Sequence, residues 1–556
     1  MPKIFNFNKT NLLFLLIIFL SSISLISSST KKEARITVNA KNEWKIIYEN
    51  FDETINYVAT AYYTDSLSEI GWDKLSITTN SLFKDEIQAE AAGRLEGSLT
   101  KERIYYHHLN LKDDFTINEN ISKFFEDQEK FVNDSVLYGE GKNDPMLYNA
   151  YLIKIQYNAI ITQYNIEMGA EMQLQKNDFH ILNYVAEIGD IYTKFRLEKE
   201  GPKDYTKMTE EEIIKIFLER NHCSALFKIK NDLSDIYFGH NTWNTYYSAI
   251  RIIKEYNLNY NNRWVKSKNI IFTSYPATMS SLDDFYISSH GLIAIETTNS
   301  IYNDTLFDKV TTDSLFTCER AMIANRISNS SKEWAENFGK YNSGTYNNQF
   351  MILDKNKVNL VNKSIEYDAF YIVETLPGLV KINNVTDILK FGYWSSFNVA
   401  YDKDIYELSG VIEMMENNKR YIPYVDYDNC ARTKIFRRDH YKAENIDGFM
   451  ELMRYNNYTK EPFAEKNPSL SISSRSDLTS SYCGGAYDSK VGALSEWTNK
   501  KVKFHLIGGP TYDNVEIKPF SWEDSSYYCK THNHYLLPEI FKFDWIEYES
   551  EFPFDN

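Results

Sequence analysis

Segments that read as strands and segments that read as helices are interspersed along this chain, and this mixture limits its fold more than any other feature. Strand-like runs lie within residues 36–63, 75–79, 224–230, 235–238, 269–273, 285–288, 292–297, 350–354 and 369–374. Helix-like runs occupy residues 84–99, 119–132, 146–168, 210–221 and 245–256. Strands and helices do not alternate strictly, as a doubly wound sheet requires, so we expect an α+β layered fold.

The N-terminus has the organisation of a secretory signal peptide. Lys3 and Lys9 precede an apolar run over residues 12–20, and a serine-rich stretch follows over 21–29. The apolar run is too short to span a bilayer, which needs about 20 residues. We therefore predict a signal peptide over 1–29. No later segment is long and apolar enough to cross a bilayer, so we expect a soluble product that is secreted or lysosomal.

The charge of the chain argues against two classes of partner. It carries 77 acidic and 61 basic residues, a net charge of −16, and removal of the two signal-peptide lysines would bring this to −18. Such a surface does not favour nucleic acid or strong electrostatic binding to anionic membranes. Aromatic residues make up 15% of the chain, which favours a large core and deep pockets.

Asn-x-Ser/Thr triplets support passage through the secretory pathway. Each triplet is weak alone, but together with a signal peptide they predict a glycoprotein. The predicted acceptors are Asn120, Asn133, Asn303, Asn329, Asn362, Asn384 and Asn457.

The five cysteines are an odd number, so at least one thiol stays unpaired in an oxidising compartment. Up to two disulfides can form, and the sequence does not give their pairing. The unpaired thiol is either an inert buried residue or a nucleophile.

Several common catalytic motifs do not occur in the sequence: there is no Gly-x-Ser-x-Gly, no P-loop, no dinucleotide fingerprint and no HExxH. The His532-Asn533-His534 segment has no flanking ligands at metal-site spacing, so we interpret it as a loop. Asp283 and Asp284 are adjacent and would point to opposite faces of a strand, so they do not form a carboxylate dyad by themselves.

Cys223 begins a predicted strand directly after a charged helical segment. A cut before this residue would free its α-amine, whose pKa of about 7.7–8.0 suits a general base. One residue would then supply both nucleophile and base. The Cys223 thiolate can make this cut itself by attacking the carbonyl of His222, after which water opens the resulting thioester.

Ordered blocks of sequence along most of the mature chain resemble the phospholipase B-like family, also called the lamina ancestor family. The most specific blocks are His222-Cys223-Ser224-Ala225-Leu226, Gly239-His240-Asn241-Thr242-Trp243-Asn244 and Tyr341-Asn342-Ser343-Gly344-Thr345-Tyr346-Asn347-Asn348-Gln349. The resemblance implies an N-terminal nucleophile (Ntn) hydrolase fold, an αββα sandwich. It also implies two associated chains from one precursor: an N-terminal fragment, 30–222, and a catalytic chain, 223–556.

The same resemblance implies the site residues. Cys223 would be the nucleophile, His240 and Trp243 would line the site, and Thr298 would face the nucleophile. Asn398 would donate to the oxyanion. Arg432 would bind a substrate anion or hold the charge balance of the site. Without the resemblance, each has an ordinary structural explanation as a core, strand, turn or ion-pair residue.

The function implied by the resemblance is hydrolysis of acyl chains from glycerophospholipids through a Cys223 acyl-enzyme, without a metal or organic cofactor. One alternative is an amidase that acts on an N-acyl or peptide-like substrate. Another is an inactive lipid-binding glycoprotein that kept the fold. A panel of lipid and amide substrates separates the first two, and an uncut chain across 222–223 would favour the third.

Overall fold

The computed structural model describes residues 30–220, 223–479, 482–514, 516–552 and 554. The predicted signal peptide and residue 222, on the N-terminal side of the predicted cut, lie outside the described residues. Within them the helices are α1 (Leu67–Ile70), α2 (Asp85–Leu99), α3 (Lys101–Leu111), α4 (Glu119–Leu137), α5 (Pro145–Glu167), α6 (Lys176–Glu200), α7 (Glu210–Arg220), α8 (Thr317–Ile327), α9 (Ser331–Phe338), α10 (Thr386–Leu389), α11 (Lys403–Leu408), α12 (Val411–Asn417), α13 (Ile422–Val425), α14 (Ala431–Asp439), α15 (Ile446–Met453) and α16 (Tyr527–Thr531).

The strands fall into two large sheets and one small ribbon. They are β1 (Thr30–Val38), β2 (Trp44–Ile47), β3 (Ala59–Asp65), β4 (Asp73–Thr79), β5 (Cys223–Ile229), β6 (Ile236–Thr245), β7 (Ile252–Asn257), β8 (Asn269–Ser274), β9 (Phe285–Ser288), β10 (Leu292–Thr298), β11 (Asn348–Asp354), β12 (Val358–Asn359), β13 (Ser364–Ile365), β14 (Phe370–Leu376), β15 (Leu379–Asn384), β16 (Tyr393–Ser396), β17 (Gly484–Ala486), β18 (Asp488–Ala493), β19 (Lys501–Gly508) and β20 (Ile546–Glu551).

The larger sheet has 11 strands in the order β15-β14-β11-β10-β9-β8-β7-β4-β3-β1-β2. The second has seven strands, in the order β16-β5-β6-β18-β19-β20 with β17 also paired to β6. Neighbouring strands are antiparallel, except for the parallel pair of β4 and β7. The mixed α+β architecture predicted from the sequence is therefore confirmed.

Alternating residues on each strand show how the layers pack, since successive side chains leave a strand on opposite faces. Phe227 on β5 and Ile293 on β10 belong to one core between the two sheets. Their neighbours point outward: Ala294 packs into a core that includes the long helices, and Leu226 packs with α14 and α15. The order of layers is helix, sheet, sheet, helix, which is compatible with the expected sandwich.

The glycines at every fourth position of α2 allow a close helix contact. A Cβ atom at Gly93 would lie 2.1 Å from the backbone oxygen of Gln156 on α5, and one at Gly97 would lie 2.6 Å from that of Ile160. Only glycine fits at such an approach. The predicted helices over 84–99 and 146–168 match α2 and α5 within one residue at each end.

The predicted helix over residues 245–256 is wrong. The structure ends β6 at Thr245 and forms β7 from Ile252 to Asn257. Apolar residues recur there at helical spacing, but β7 pairs with β4 on one side and β8 on the other, and Ile253 enters the core between the sheets. Tertiary pairing of a β-branched run overrides the local pattern.

One disulfide occurs among the described residues, between Cys483 beside β17 and Cys529 on α16. Cys223, Cys318 and Cys430 are buried free thiols. All seven predicted glycosylation acceptors are at least partly exposed, so their use stays a prediction. In the described part of the chain, no helix combines the length and the apolar character needed to span a membrane.

Candidate active site

The hairpin of β5 and β6 positions Cys223. This residue is the first of β5 and lies opposite Thr242 on β6, and its side chain is buried. The turn between the strands is polar and includes Leu233 in the left-handed region. Antiparallel pairing over the full length of β5 therefore fixes the cysteine at the open end of the hairpin.

A cavity of about 1200 Å³ opens beside Cys223. Its wall includes Thr242 and Trp243 from β6, Thr298 from β10 and Tyr346 from the loop before β11. Helix α7, which directly precedes the cysteine in sequence, contributes another part of the wall through Ile214, Leu218 and Arg220. The nucleophile candidate thus lies in a deep, partly aromatic pocket covered by the segment that leads to it.

Asn398 connects the start of β5 to the end of β10. Its Oδ1 accepts a hydrogen bond from the backbone N–H of Cys223 at 3.5 Å, and its Nδ2 donates to the Thr298 carbonyl at 2.8 Å. The residue has a φ of +68°, which is uncommon outside glycine and asparagine. The side chain is thereby held with its oxygen toward the Cys223 nitrogen, and the second Nδ2 hydrogen remains for another acceptor.

Arg432, the second residue of α14, clamps the other side of Cys223. Its Nη1 donates to the Cys223 carbonyl at 2.5 Å and its Nη2 to the Phe397 carbonyl at 2.6 Å. The guanidinium carbon lies 4.4 Å from the ring centre of Trp243. Burial lowers the pKa of Arg432 to about 10. These hydrogen bonds go to groups of the protein itself, which favours a positioning role over the binding of a substrate anion.

Burial dominates the environment of the Cys223 thiol, and the nearby ammonium of Lys490 offsets only part of its effect on the pKa. Burial raises the pKa of the thiol well above the ordinary value, and Glu296 adds to this, while the backbone N–H of Trp243 opposes it. His240 lies close, but burial, with Lys490 second, lowers the pKa of its imidazole well below the ordinary value. A neutral thiol therefore faces a neutral, weakly basic imidazole.

A buried network of charges underlies this site. Asp283 accepts hydrogen bonds from Thr242 at 2.8 Å, Arg251 at 2.5 Å and Lys490 at 2.9 Å. Asp488 accepts from Lys490 at 2.9 Å and forms an ion pair with Arg251 at 3.2 Å. Two cations balance two carboxylates, and the network holds the β6 residue that faces Cys223 across the hairpin.

Several buried carboxyl groups lie around Tyr346. Burial raises the pKa of Glu187, Asp190 and Asp284 to about 7 each, and that of Glu296 well above its ordinary value. The Tyr346 hydroxyl donates to Glu296 at 3.0 Å, and its backbone N–H donates to Asp190 at 2.8 Å. This side of the site therefore loses negative charge below about pH 7.

The structure brings all six residues implied by the resemblance into one region. Cys223, Thr298, Asn398 and Arg432 are linked by hydrogen bonds, Trp243 lies against Arg432, and His240 lies near the thiol. Their catalytic roles stay predictions.

Sequence reasoning missed Arg251, Lys490, Asp488 and Glu296 as site residues. Lys490 and Asp488 lie on β18, and Arg251 lies directly before β7. Because the three residues meet only in the folded chain, no local sequence motif predicts them. Asp283 and Asp284 precede β9, so their predicted position on a strand is wrong. They nevertheless have different neighbours: Asp283 binds Arg251 and Lys490, whereas Asp284 lies beside Tyr286 and Tyr346.

The His532-Asn533-His534 segment forms a loop, as predicted. The His532 ring stacks on Tyr247 at 3.6 Å between ring centres, and the His534 ring stacks on Trp522 at 4.1 Å. In the described ranges, neither histidine belongs to a group of side chains arranged to bind a metal ion.

Comparison of the sequence with known proteins shows the family of this chain. A family model described as Phospholipase B matches residues 59–548. The chain is 36% identical to Phospholipase B of Crotalus adamanteus, over 88% of each protein. It is 35% identical to Phospholipase B-like 1 of Rattus norvegicus, over 88% of this chain and 87% of the other. It is 32% identical to Phospholipase B-like protein D of Dictyostelium discoideum, over 97% and 98%. The chain therefore belongs to the phospholipase B family.

Proposed function

We propose that this protein is a secreted or lysosomal phospholipase B-like hydrolase of the Ntn type, with Cys223 as nucleophile. The names of its relatives support the lipid substrate. The observation that carries the proposal is the position of Cys223: the first residue of a strand, at the wall of a large cavity, with its backbone nitrogen held by Asn398. That nitrogen becomes a base only when the preceding bond is cut.

The first step is a self-made cut between residues 222 and 223. The Cys223 sulfur attacks the carbonyl carbon of His222 and forms a thioester. The carbon–nitrogen bond breaks, and the peptide nitrogen takes up the thiol proton as it leaves as the α-amine of Cys223. Water then hydrolyses the thioester and regenerates the thiol. Arg432 and the pairing of β5 hold Cys223 in place during this exchange, because they bind its carbonyl and its strand neighbours.

The second step uses the new amine as the general base. Asn398 Oδ1 accepts one N–H, which directs the amine lone pair away from that oxygen. The amine takes the thiol proton, and the thiolate attacks the ester carbonyl of a glycerophospholipid. We assign the oxyanion hole to two donors, the second Nδ2 hydrogen of Asn398 and the backbone N–H of Trp243. The alcohol leaves with the proton, and water releases the fatty acid from the acyl-enzyme.

The cavity supports an acylated substrate. Its volume of about 1200 Å³ exceeds the usual range of about 300–1,000 Å³ for small-molecule sites. Trp243, Tyr247, Tyr275 and Phe307 supply flat apolar surface along the wall, and Thr242 and Asn244 supply polar groups beside the thiol. Such a lining accommodates an acyl chain with its ester near Cys223.

The proposal is tested with mature protein and two substrates that carry the same acyl chain, a phosphatidylcholine in detergent micelles and an N-acyl amide. We expect release of fatty acid from the ester and a Cys223-linked acyl group detectable by mass spectrometry. Cys318→Ala, which removes a buried free thiol on α8, is the matched control and should behave as the unmodified protein. Turnover of the amide alone would favour the amidase, and lipid bound without turnover would favour a binding protein.

A further inference from the structure

We propose that Cys223, His240 and Glu296 form a binding site for one Zn²⁺-like divalent ion, which keeps the chain uncut and inactive while it is bound. This regulatory role rests on the function proposed above, whereas ion binding itself does not. The three residues come from β5, β6 and β10, so the contact between the two sheets brings them together.

The geometry of the three side chains fits a compact coordination site. A sulfur, a ring nitrogen and a carboxylate oxygen, one from each residue, all lie within 4.8 Å of one another. Ligands at Zn–S and Zn–N distances of about 2.0–2.3 Å are themselves roughly 3.3–3.8 Å apart in a tetrahedral site. Small side-chain rotations therefore suffice to surround an ion.

The ring of His240 gives an independent reason to expect that this cluster binds a ligand. The residue is 0% exposed, and neither ring nitrogen makes a hydrogen bond of normal geometry within the described residues. The Glu296 backbone carbonyl acts as a weak acceptor toward the ring. A buried polar group without a partner costs free energy, and a metal–nitrogen bond would satisfy one nitrogen while the carbonyl orients the other.

The surroundings also suit an ion. Glu296 is 0% exposed and its Oε1 accepts a hydrogen bond from Tyr346 at 3.0 Å, which orients the carboxylate as an outer ligand would. The nearby cations are already paired: Lys490 binds Asp283 and Asp488 at 2.9 Å each. The carboxylates of Asp283 and Asp488 therefore offset the positive charge of Lys490 and Arg251 near the cluster, although Lys490 still disfavours protonation of His240.

The ligand set selects the class of ion. Thiolate, imidazole and carboxylate together favour Zn²⁺ and Co²⁺, whereas Ca²⁺ and Mg²⁺ need mainly oxygen ligands. The thiol loses its proton to solvent when the ion binds, and the sulfur lone pair then bonds to the metal. It can attack neither the His222 carbonyl before the cut nor an ester after it.

The first test is direct binding, measured on full-length protein with Co²⁺ alone as probe. We expect one ion per chain and a thiolate-to-cobalt charge-transfer absorption that Zn²⁺ removes by competition. Cys223→Ser should abolish the absorption, and Glu296→Gln should weaken binding at least about tenfold. Glu374→Gln changes another fully buried carboxyl outside the cluster and should leave binding unchanged. Circular dichroism of each variant verifies that it is folded.

The second test follows the cut. Precursor refolded with EDTA should be cut at least about tenfold faster than precursor refolded with Zn²⁺. Absence of stoichiometric Co²⁺ binding, or binding indifferent to both variants, would overturn the site even if cutting and lipid hydrolysis proceed. Binding as expected, with cutting equally fast in both conditions, would overturn the regulatory role. Binding as expected, without hydrolysis by metal-free mature protein, would instead contradict the proposed enzyme function alone.

Discussion

The backbone carbonyl of Cys223 accepts a hydrogen bond from Nη1 of Arg432 at 2.5 Å, across 209 positions of sequence. The same guanidinium donates to the Phe397 carbonyl and covers the Trp243 ring. The guanidinium group of Arg432 therefore connects the start of β5 with the loop after β16 and with β6. Lysine carries the same charge but cannot form this pair of bonds.

We accordingly expect Arg432→Lys to destabilise the protein by about 2–4 kcal/mol, since it leaves a buried carbonyl without its donor. Chemical denaturation monitored by tryptophan fluorescence measures the change. Arg437→Lys is the control, because Arg437 lies on the same helix with its side chain 56% exposed. Equal stability of the two variants would show that the hydrogen bonds of Arg432 contribute nothing to the free energy of unfolding.

Cys223→Ala should abolish the cut between residues 222 and 223, and Cys223→Ser should slow it, because a hydroxyl is a weaker nucleophile than a thiol. Gel mobility of the secreted material reports the two fragments. Cys318→Ala, which also removes a buried thiol, should be cut at the normal rate. Normal two-chain maturation of the alanine variant at position 223 would identify an external protease as the cause.

Gly93→Ala should destabilise the contact between α2 and α5. The new methyl group would lie 2.1 Å from the Gln156 oxygen, so the helices must separate, at a cost of about 1–3 kcal/mol. Gly189→Ala on α6 is a matched helical control with no atom within 4 Å of the new methyl, and it should stabilise by about 0.5–1 kcal/mol. Thermal unfolding of both variants measures the contrast, and equal shifts in Tm would contradict the packing assignment.

The buried carboxyls predict greater stability in acid. Burial raises the pKa of Glu187 and Asp284 to about 7 in the folded protein, whereas unfolded carboxyls titrate near pH 4. Between these values the folded state holds more protons, so their contribution to stability is full below about pH 4 and is lost as the pH rises toward 7.

These carboxyls therefore raise the Tm at pH 5 relative to pH 7.5, whereas His107 and His180, whose pKa burial lowers to about 3, act in the opposite direction. Differential scanning calorimetry of the unmodified protein and of a Glu187 variant at both pH values isolates the carboxyl contribution. Glu187→Gln should reduce this difference, because the amide does not titrate. Glu171→Gln, at an exposed position, should not change it. The same difference in Tm between pH 5 and 7.5 in Glu187→Gln and in the unmodified protein would refute the assignment.

The spacing of apolar residues along the sequence predicted those parts of the fold that depend on interactions between near neighbours in the chain. The helices α2 and α5 and the β5–β6 hairpin follow from spacing, glycine placement and a polar turn. The segment that forms β7 was predicted as a helix, since its strand character depends on pairing with β4 and β8. No sequence pattern reports such pairing in advance.

The site divides in the same way. The position of Cys223 at the start of a strand is visible in the sequence, and resemblance to a family added the five residues that surround it. The network of Arg251, Asp283, Asp488 and Lys490 was not predicted as part of the site, because it assembles from different strands and loops in the core. Charged residues in a sequence ordinarily indicate surface, and only the folded arrangement shows that these four are buried.

The N-terminal residue of the heavier fragment in mature, active protein tests the central proposal most directly. Edman degradation or intact-mass analysis should find a fragment that begins at Cys223 with a free amine. A preparation that hydrolyses lipid while its chain remains continuous across residues 222 and 223 would contradict the mechanism.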